Sequence, residues 1–332
     1  MSCIRQMIEQ RERDCLSPRA SLSCKTCGRE RPMPPDDIRT EYQRDRDRII
    51  HCKSFRRLMH KTQVFLSPEQ DHYRTRLTHT LEVMQIGRTI SRALMLNEDL
   101  CEAVALGHDL GHTPFGHAGE SVLQKCYDPS FTHYRQSLRV VDLLENDGEG
   151  LNLTFEVRDG ILNHTGDDRA VTLEGRIVKF ADRIAYINHD IDDAIRAKVI
   201  CAEDIPRALR NVLGHTHGER IDRMVRSVIS ASADLADICM EEEIGQATAK
   251  LLEFMFENVY YNPVAKKEET KAKLLLEDLY FYFIEHPEKL PPQRGGTVGD
   301  DVPRRVCDYL AGMTDRFAIR LYTSIHIPEQ FR

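Results

Sequence analysis

The sequence predicts an almost entirely helical protein. From Thr40 onward, long segments repeat apolar residues at three-to-four spacing, and few runs alternate with the period of two that a half-buried strand needs. Segment 77–95 places Leu77, Leu81, Met84, Ile90 and Leu94 on one stripe, and 174–197 repeats the pattern through Ile177, Phe180, Ile184, Ile191 and Ile195. The same spacing predicts helices near 204–214, 219–240, 243–258, 265–286 and 303–322, with Pro291 to Gly296 as the longest break. Residues 1–40 carry Pro18, Gly28 and Pro32 to Pro35 among many charges and read as an irregular arm. The expected organisation is that arm over 1–40, a helical core over 41–200, and a C-terminal helical region over 201–332 packed on the core.

Composition narrows the partners. Across 332 residues, 46 Lys and Arg against 53 Asp and Glu leave a net charge of −7, which lacks the global basic excess of a protein that coats nucleic acid. Nucleic acid is therefore not expected as the main partner, and a polyphosphate would have to meet a local basic cluster. No stretch reaches the roughly 18 to 20 consecutive apolar residues of a membrane span, and the N-terminal residues lack the apolar segment of a signal peptide. A cytoplasmic protein with no membrane partner is expected. The ten cysteines are mostly scattered singly, as reduced apolar residues. Cys24 and Cys27 have the spacing of half a zinc site, but no second pair follows, and incidental thiols are the simpler reading. The Arg44–Arg48 alternation of Arg and Asp reads either as a salt-bridged helix face or as a functional one.

The chemistry concentrates in Ala103 to Glu120, where three His, one Asp and one Glu fall within the thirteen residues 108–120, after an apolar helix opened by Asn97. Packing alone does not account for that density. His108 and Asp109 can present a nitrogen and an oxygen ligand to one ion at a helix end. Gly107, Gly111 and Pro114 then break the helix and let His112 and His117 turn back. Further ligands must come from elsewhere in the chain. His79, read as lying on the polar side of its helix, is one candidate. Asp182 is another, at the head of the series Asp182, Tyr186, Asp190 at i, i+4, i+8, which shares one helix face opposite the isoleucine stripe. The plain alternative for that face is a solvent-facing side.

His79, then His108-Asp109, then a distant Asp182 resembles the H…HD…D signature of the HD-domain metal-dependent phosphohydrolases. More narrowly, Arg74–Val83, Gly107–Glu120 and Phe131–Ser137 are similar to the deoxyguanosine triphosphate triphosphohydrolase branch. The likeness runs from about residue 36 to 200 and continues faintly through Asp308–Arg316. It implies an all-α HD-domain helical bundle with an additional C-terminal helical region. It also implies hydrolysis of a deoxynucleoside triphosphate, dGTP or another dNTP, at the α-phosphate to deoxynucleoside and inorganic triphosphate. On this likeness His79, His108, Asp109 and Asp182 hold one divalent metal ion (Mn, Mg, Fe, Co, Ni or Zn). His117 and Glu120 stand beside the scissile phosphate, with His112 and His133 as further phosphate-facing histidines. Arg76 clamps phosphate, Arg183 fills a basic position, and Tyr186 and Asp190 face triphosphate and sugar. The likeness also implies a homo-oligomer and, in some relatives, a regulatory nucleotide.

Attack at an α-phosphorus carrying a triphosphate leaving group needs charge neutralisation, a positioned water and a proton donor. Arg76 offers a planar donor fork, His117 or His112 can move the proton, and Glu120, one helical turn beyond His117, can orient its imidazole. Two other readings stand beside this one: an HD phosphohydrolase acting on nucleoside monophosphates, cyclic dinucleotides or guanosine tetraphosphate, and a catalytically silent nucleotide-sensing module. His164 reads as a hydrogen-bonded structural residue more readily than as part of the pocket, and Tyr260-Tyr261 as packing for the C-terminal helices.

Overall fold

A computed structural model describes residues 3–63, 74–260 and 263–328, with side chains in the last stretch described from 268 onward; Tyr261 lies outside the described residues. Among the described residues there is no strand, only the isolated bridges Arg29–Thr154 and Thr62–Thr75. None of the described helices is long and apolar enough to cross a membrane. Two compact units emerge: one of Met1–Ile50, His79–His108 and Asn152–Asn262, the other of His51–Thr78, Asp109–Leu151 and Pro263–Arg332.

In the first unit the Leu173–Arg196 helix is the central element. Thr172 starts it by accepting a hydrogen bond from Gly175 N, and Ile177, Ile184 and Ile191 are fully buried. It packs against the Glu98–Gly107, Phe155–Leu162 and His217–Ala231 helices. Asn97 caps the Glu98–Gly107 helix as expected, its side chain accepting from Asp99 N and Leu100 N. A Cβ on Gly160 would stand 2.6 Å from Val104 Cγ2, so a glycine lets this helix and Phe155–Leu162 close on each other.

The stretch expected to be irregular holds a helix, Ile4–Cys15. A specific polar anchor offsets the weak apolar pattern: buried Glu12 accepts from Ser23 N at 2.8 Å and Ser23 Oγ at 2.6 Å. The Arg–Asp alternation is ion-paired. Arg44 binds Glu41, Arg46 binds Asp47, and fully buried Asp45 binds Arg29 while accepting from Thr154 N and Oγ1.

The Arg76–Ala93 helix corrects the sequence reading of its face. Leu81, placed on the expected apolar stripe, is 42% exposed, and the buried side runs instead through His79, Val83, Ile86 and Ile90. His79, expected on the polar side, is 1% exposed. Hydropathy spacing cannot detect a face whose buried member is a histidine.

In the second unit the His117–Cys126 helix packs on Pro263–Glu285, which in turn packs on Val302–Ala311 around Val122, Leu276, Leu279, Phe283, Val306 and Leu310. One helix was expected over 303–322; two are found, Val302–Ala311 and Asp315–His326, because Thr314 caps a fresh start by accepting from Phe317 N. The turn after Asp109 needs glycine at one point: a Cβ on Gly111 would lie 2.1 Å from Ser137 N. Asp315 reaches that turn, accepting from Phe115 N at 2.9 Å with one oxygen and from Thr62 N at 2.9 Å and Thr62 Oγ1 with the other.

Truncating Asp315 leaves the buried Phe115 N–H and the half-buried Thr62 N–H without an acceptor, at roughly 1–3 kcal/mol each with the second at the lower end. We expect Asp315→Ala to lower the free energy of unfolding by about 2–4 kcal/mol in urea titrations. A loss under about 1 kcal/mol would contradict this account of the turn.

Candidate functional site

Several of the expected site residues meet within each unit. In the first, His108 follows directly on the helix end at Gly107 and its Nδ1 donates to Ala105 O at 2.6 Å. His164 repeats that arrangement, with Nδ1 donating to Ile161 O at 2.8 Å. A carbonyl can only accept, so both rings are fixed in the tautomer that places the lone pair on Nε2. The two rings lie edge to face with centroids 5.0 Å apart. Asp182 Oδ1 lies 3.0 Å from His79 Nε2 and 4.0 Å from His108 Nε2. Ligand atoms of His108, His164 and Asp182 fall within 4.8 Å of one another. Burial pushes the Asp182 carboxyl upward, but the His79 hydrogen bond and the neighbouring His108, His79 and His164 prevail and hold it well below the usual carboxylate range.

Further along the same helix, burial and the Asp182 charge push the Tyr186 phenol up to about 12. Asp190 is buried and accepts a hydrogen bond from Tyr260 OH. Arg183 is exposed. Glu82, one turn beyond His79, pairs with buried His189 at 3.1 Å, and the His189 ring meets that of His79 edge-on at 5.9 Å.

In the second unit Arg76 Nη1 binds Asp109 Oδ2 at 2.7 Å, both side chains being buried. Glu120 is the hub of a histidine array. Its Oε2 lies 3.3 Å from His117 Nδ1, while its Oε1 accepts from His133 N at 2.9 Å and lies 3.2 Å from His133 Nδ1. The His133 ring stacks on His112 at 4.8 Å, and His112 meets His117 edge-on at 5.6 Å. Burial would raise the Glu120 carboxyl, yet hydrogen bonds from His117 and His133 outweigh it and keep the group ionised. Burial works against a charged His133, but Glu120 prevails and raises it; burial, with Arg76 nearby, carries His112 the other way. His117 is four-fifths exposed. One imidazole in the array therefore favours its charged form, one its neutral form, and one faces solvent.

The donor sets suit a divalent transition metal. Two imidazole nitrogens with fixed tautomers and the ionised Asp182 carboxylate converge in the first unit, and in the second the sets Asp109, His112, His133 and His112, His117, Glu120 each fall within 4.8 Å. Cys24 and Cys27 join no such group among the described residues: Cys24 Sγ accepts from Arg13, and Glu156 pushes the Cys27 thiol up.

Three neighbours of the site residues lie outside the sequence reading of the site. His164 makes the hydrogen bond expected of it, to Ile161 O, and its ring also meets that of His108, a placement signalled by the three-residue spacing to a helical carbonyl that both share. Tyr260 was read as packing, and nothing local in the sequence links it to Asp190. Lys61, whose buried ammonium donates to His112 O and Ala311 O and is pulled down by burial to about 7, carries no motif at all.

Comparison with known proteins identifies the family. Residues 76–187 match the HD domain and residues 238–324 the phosphohydrolase-associated domain. A deoxyguanosinetriphosphate triphosphohydrolase-like protein of Caldanaerobacter subterraneus is 56% identical over 98% of this chain and 96% of its own length. Proteins of the same description from Desulfatibacillum aliphaticivorans and Clostridium tetani are 48% and 45% identical, each over 98% of this chain and 98% and 97% of their own lengths. An HD domain with its associated domain, and such similarity over nearly the whole length, place the chain in the deoxyguanosinetriphosphate triphosphohydrolase-like family of HD phosphohydrolases.

Proposed function

We propose that this chain is a metal-dependent deoxynucleoside triphosphate triphosphohydrolase, cleaving at the α-phosphate to release deoxynucleoside and inorganic triphosphate. The observation that carries the reading is the Glu120 array, in which one ionised carboxylate serves both His117 and His133. Phosphate-ester hydrolysis needs a proton delivered to a departing oxygen, and this array supplies a solvent-accessible imidazole with its Nδ1 held by a carboxylate. On this reading His79, His108, Asp109 and Asp182 hold the metal, with His164 beside His108 as a further candidate ligand. When bound, the metal would neutralise phosphoryl charge and lower the pKa of a coordinated water.

The chain's own residues do the rest. Glu120 orients His117 through its Nδ1, so that His117 Nε2 can carry the proton. His133, favoured in its charged form, offers positive charge to phosphate, and His112, favoured neutral, offers a hydrogen bond without repelling Arg76. Arg76 sets its fork against phosphate while bound through Nη1 to Asp109. Tyr186 stays protonated as a donor to triphosphate, Asp190 accepts from sugar with Tyr260 fixing its carboxylate, and Arg183 supplies exposed positive charge. A cytoplasmic homo-oligomer responsive to a second nucleotide completes the proposal.

The test is incubation of metal-free, Mn-loaded and Mg-loaded protein with each of the four dNTPs and the matching ribonucleotides, with products resolved by anion exchange. Intact triphosphate and deoxynucleoside should appear only with metal and be absent in Asp109→Ala. Bound metal without any product would transfer the assignment to monophosphates or signalling nucleotides. His117→Ala should lower kcat by about 100-fold or more while metal content, read by mass spectrometry, stays unchanged. Loss of metal in that variant would make His117 a ligand instead.

A further inference from the structure

The sequence singles out the stretch Asp308–Arg316, and of its two acidic residues Asp315 alone has a part in the turn described above. Asp308, on the Val302–Ala311 helix, accepts hydrogen bonds from three other side chains. Its Oδ1 takes Gln136 Nε2 at 2.8 Å and Arg304 Nε at 3.2 Å, and its Oδ2 takes Arg139 Nη2 at 2.8 Å and Arg139 Nε at 3.0 Å. The Asp308 side chain is only 12% exposed. Burial would raise its carboxyl, but the hydrogen bonds from Arg139 and Arg304 outweigh that and hold it below the usual carboxylate range. Charge-assisted bonds of this kind are roughly twice as strong as neutral ones. Arg304 in turn lies over the Tyr127 ring, 5.2 Å from its centroid.

These partners stand on the two helices that carry the histidine array. Gln136 and Arg139 lie about one and two turns beyond His133 on the His133–Arg139 helix, and Tyr127 directly follows the His117–Cys126 helix, which bears His117 and Glu120. The His133–Arg139 helix cannot fix its own place. Its seven residues fall well short of the roughly 12–15 that are marginally stable in isolation, and Thr132 gives its start no side-chain cap. We propose that Asp308 is a positioning residue for the array: through Gln136 and Arg139 it holds the helix of His133, through Arg304 it holds the end of the helix of Glu120, and so it sets the approach of His133 to Glu120. That contact has little slack. Glu120 Oε1 lies 2.9 Å from His133 N and 3.2 Å from His133 Nδ1, so a shift of about 1 Å takes both beyond hydrogen-bond reach. Asp300 provides the comparison, because it pairs with Arg139 Nη2 at 2.5 Å but bonds neither Gln136 nor Arg304 among the described residues. The inference rests on the reading of the array as the site of the chemistry, and it adds a residue that touches none of the reacting groups.

The experiment treats the full chain with diethyl pyrocarbonate, which modifies accessible neutral imidazoles, and reads the modification of His133 by peptide mass spectrometry; kcat and KM on a hydrolysed dNTP are measured beside it. Asp308→Ala should raise the rate of His133 modification by about tenfold or more and lower kcat by about tenfold or more, with KM within about threefold of wild type. Asp300→Ala should change none of these by more than about twofold. Unchanged modification or unchanged kcat in Asp308→Ala overturns the proposal, as does an equal rise in Asp300→Ala, which would mark a general loosening of the ion pairs. If the wild type consumes no dNTP, the reading of the reaction fails, and the modification rates still decide whether Asp308 places His133. Should Asp308→Ala fail a melting check, Gln136→Met, which cuts the Gln136 bond to Asp308, decides: a rise in modification of about threefold or more sustains the proposal and no rise removes it.

Discussion

The second unit's site depends on the pinning of an irregular turn. Between Asp109 and His117 the chain leaves helical geometry, and each buried backbone group there must find a partner outside regular secondary structure. Lys61 donates to His112 O, Ser137 Oγ accepts from Gly111 N, Thr113 Oγ1 donates to Gly116 O, and Asp315 accepts from Phe115 N. Phe115 and Gly116 both take positive φ, near 60°, a conformation that a phenylalanine holds only when its surroundings impose it. These bonds come from sequence positions as far apart as 61 and 315, which explains why the 109–117 stretch needs the C-terminal region.

With the turn fixed, electrostatics separates histidines that sequence treats alike. His112 and His133 stack face to face, yet one is driven neutral and the other toward charge, because Glu120 touches His133 directly while Arg76 bears on His112. A shared carboxylate at 3.2–3.3 Å from two imidazoles does what neither burial nor sequence spacing would do alone. The differentiation is a property of position, and Glu120 holds that position because it lies in the first turn of a helix whose apolar side is locked into the core.

What the sequence makes legible is what repeats or clusters. The helices, the Asn97 cap and the concentration of His, Asp and Glu over 108–120 follow from spacing and residue type. The buried face of Arg76–Ala93 does not, because hydropathy scores His79 as a surface residue although its ring bonds Asp182. The Ile4–Cys15 helix escaped for a related reason: buried Glu9 and Glu12 are anchored by polar bonds that hydropathy counts against burial. His164, Tyr260 and Lys61 lie apart in sequence from the groups they serve, and only the folded chain brings them together.

The donor geometry of the first unit bears on how a cation would be accepted. A histidine that must rotate or change tautomer to bind metal loses affinity to that reorganisation, whereas His108 and His164 already have Nδ1 committed to a helical carbonyl and Nε2 directed away from it. Asp182 is held ionised by His79, so the cluster presents negative charge before any ion arrives. Nitrogen donors alongside carboxylate favour first-row transition ions over calcium, which prefers six to eight oxygens, and the absence of thiolate from these clusters removes the feature that selects soft ions. The helix ends at Gly107 and Leu162 thus do two things at once: they terminate helices, and their last-turn carbonyls set the ring nitrogens that a metal would use.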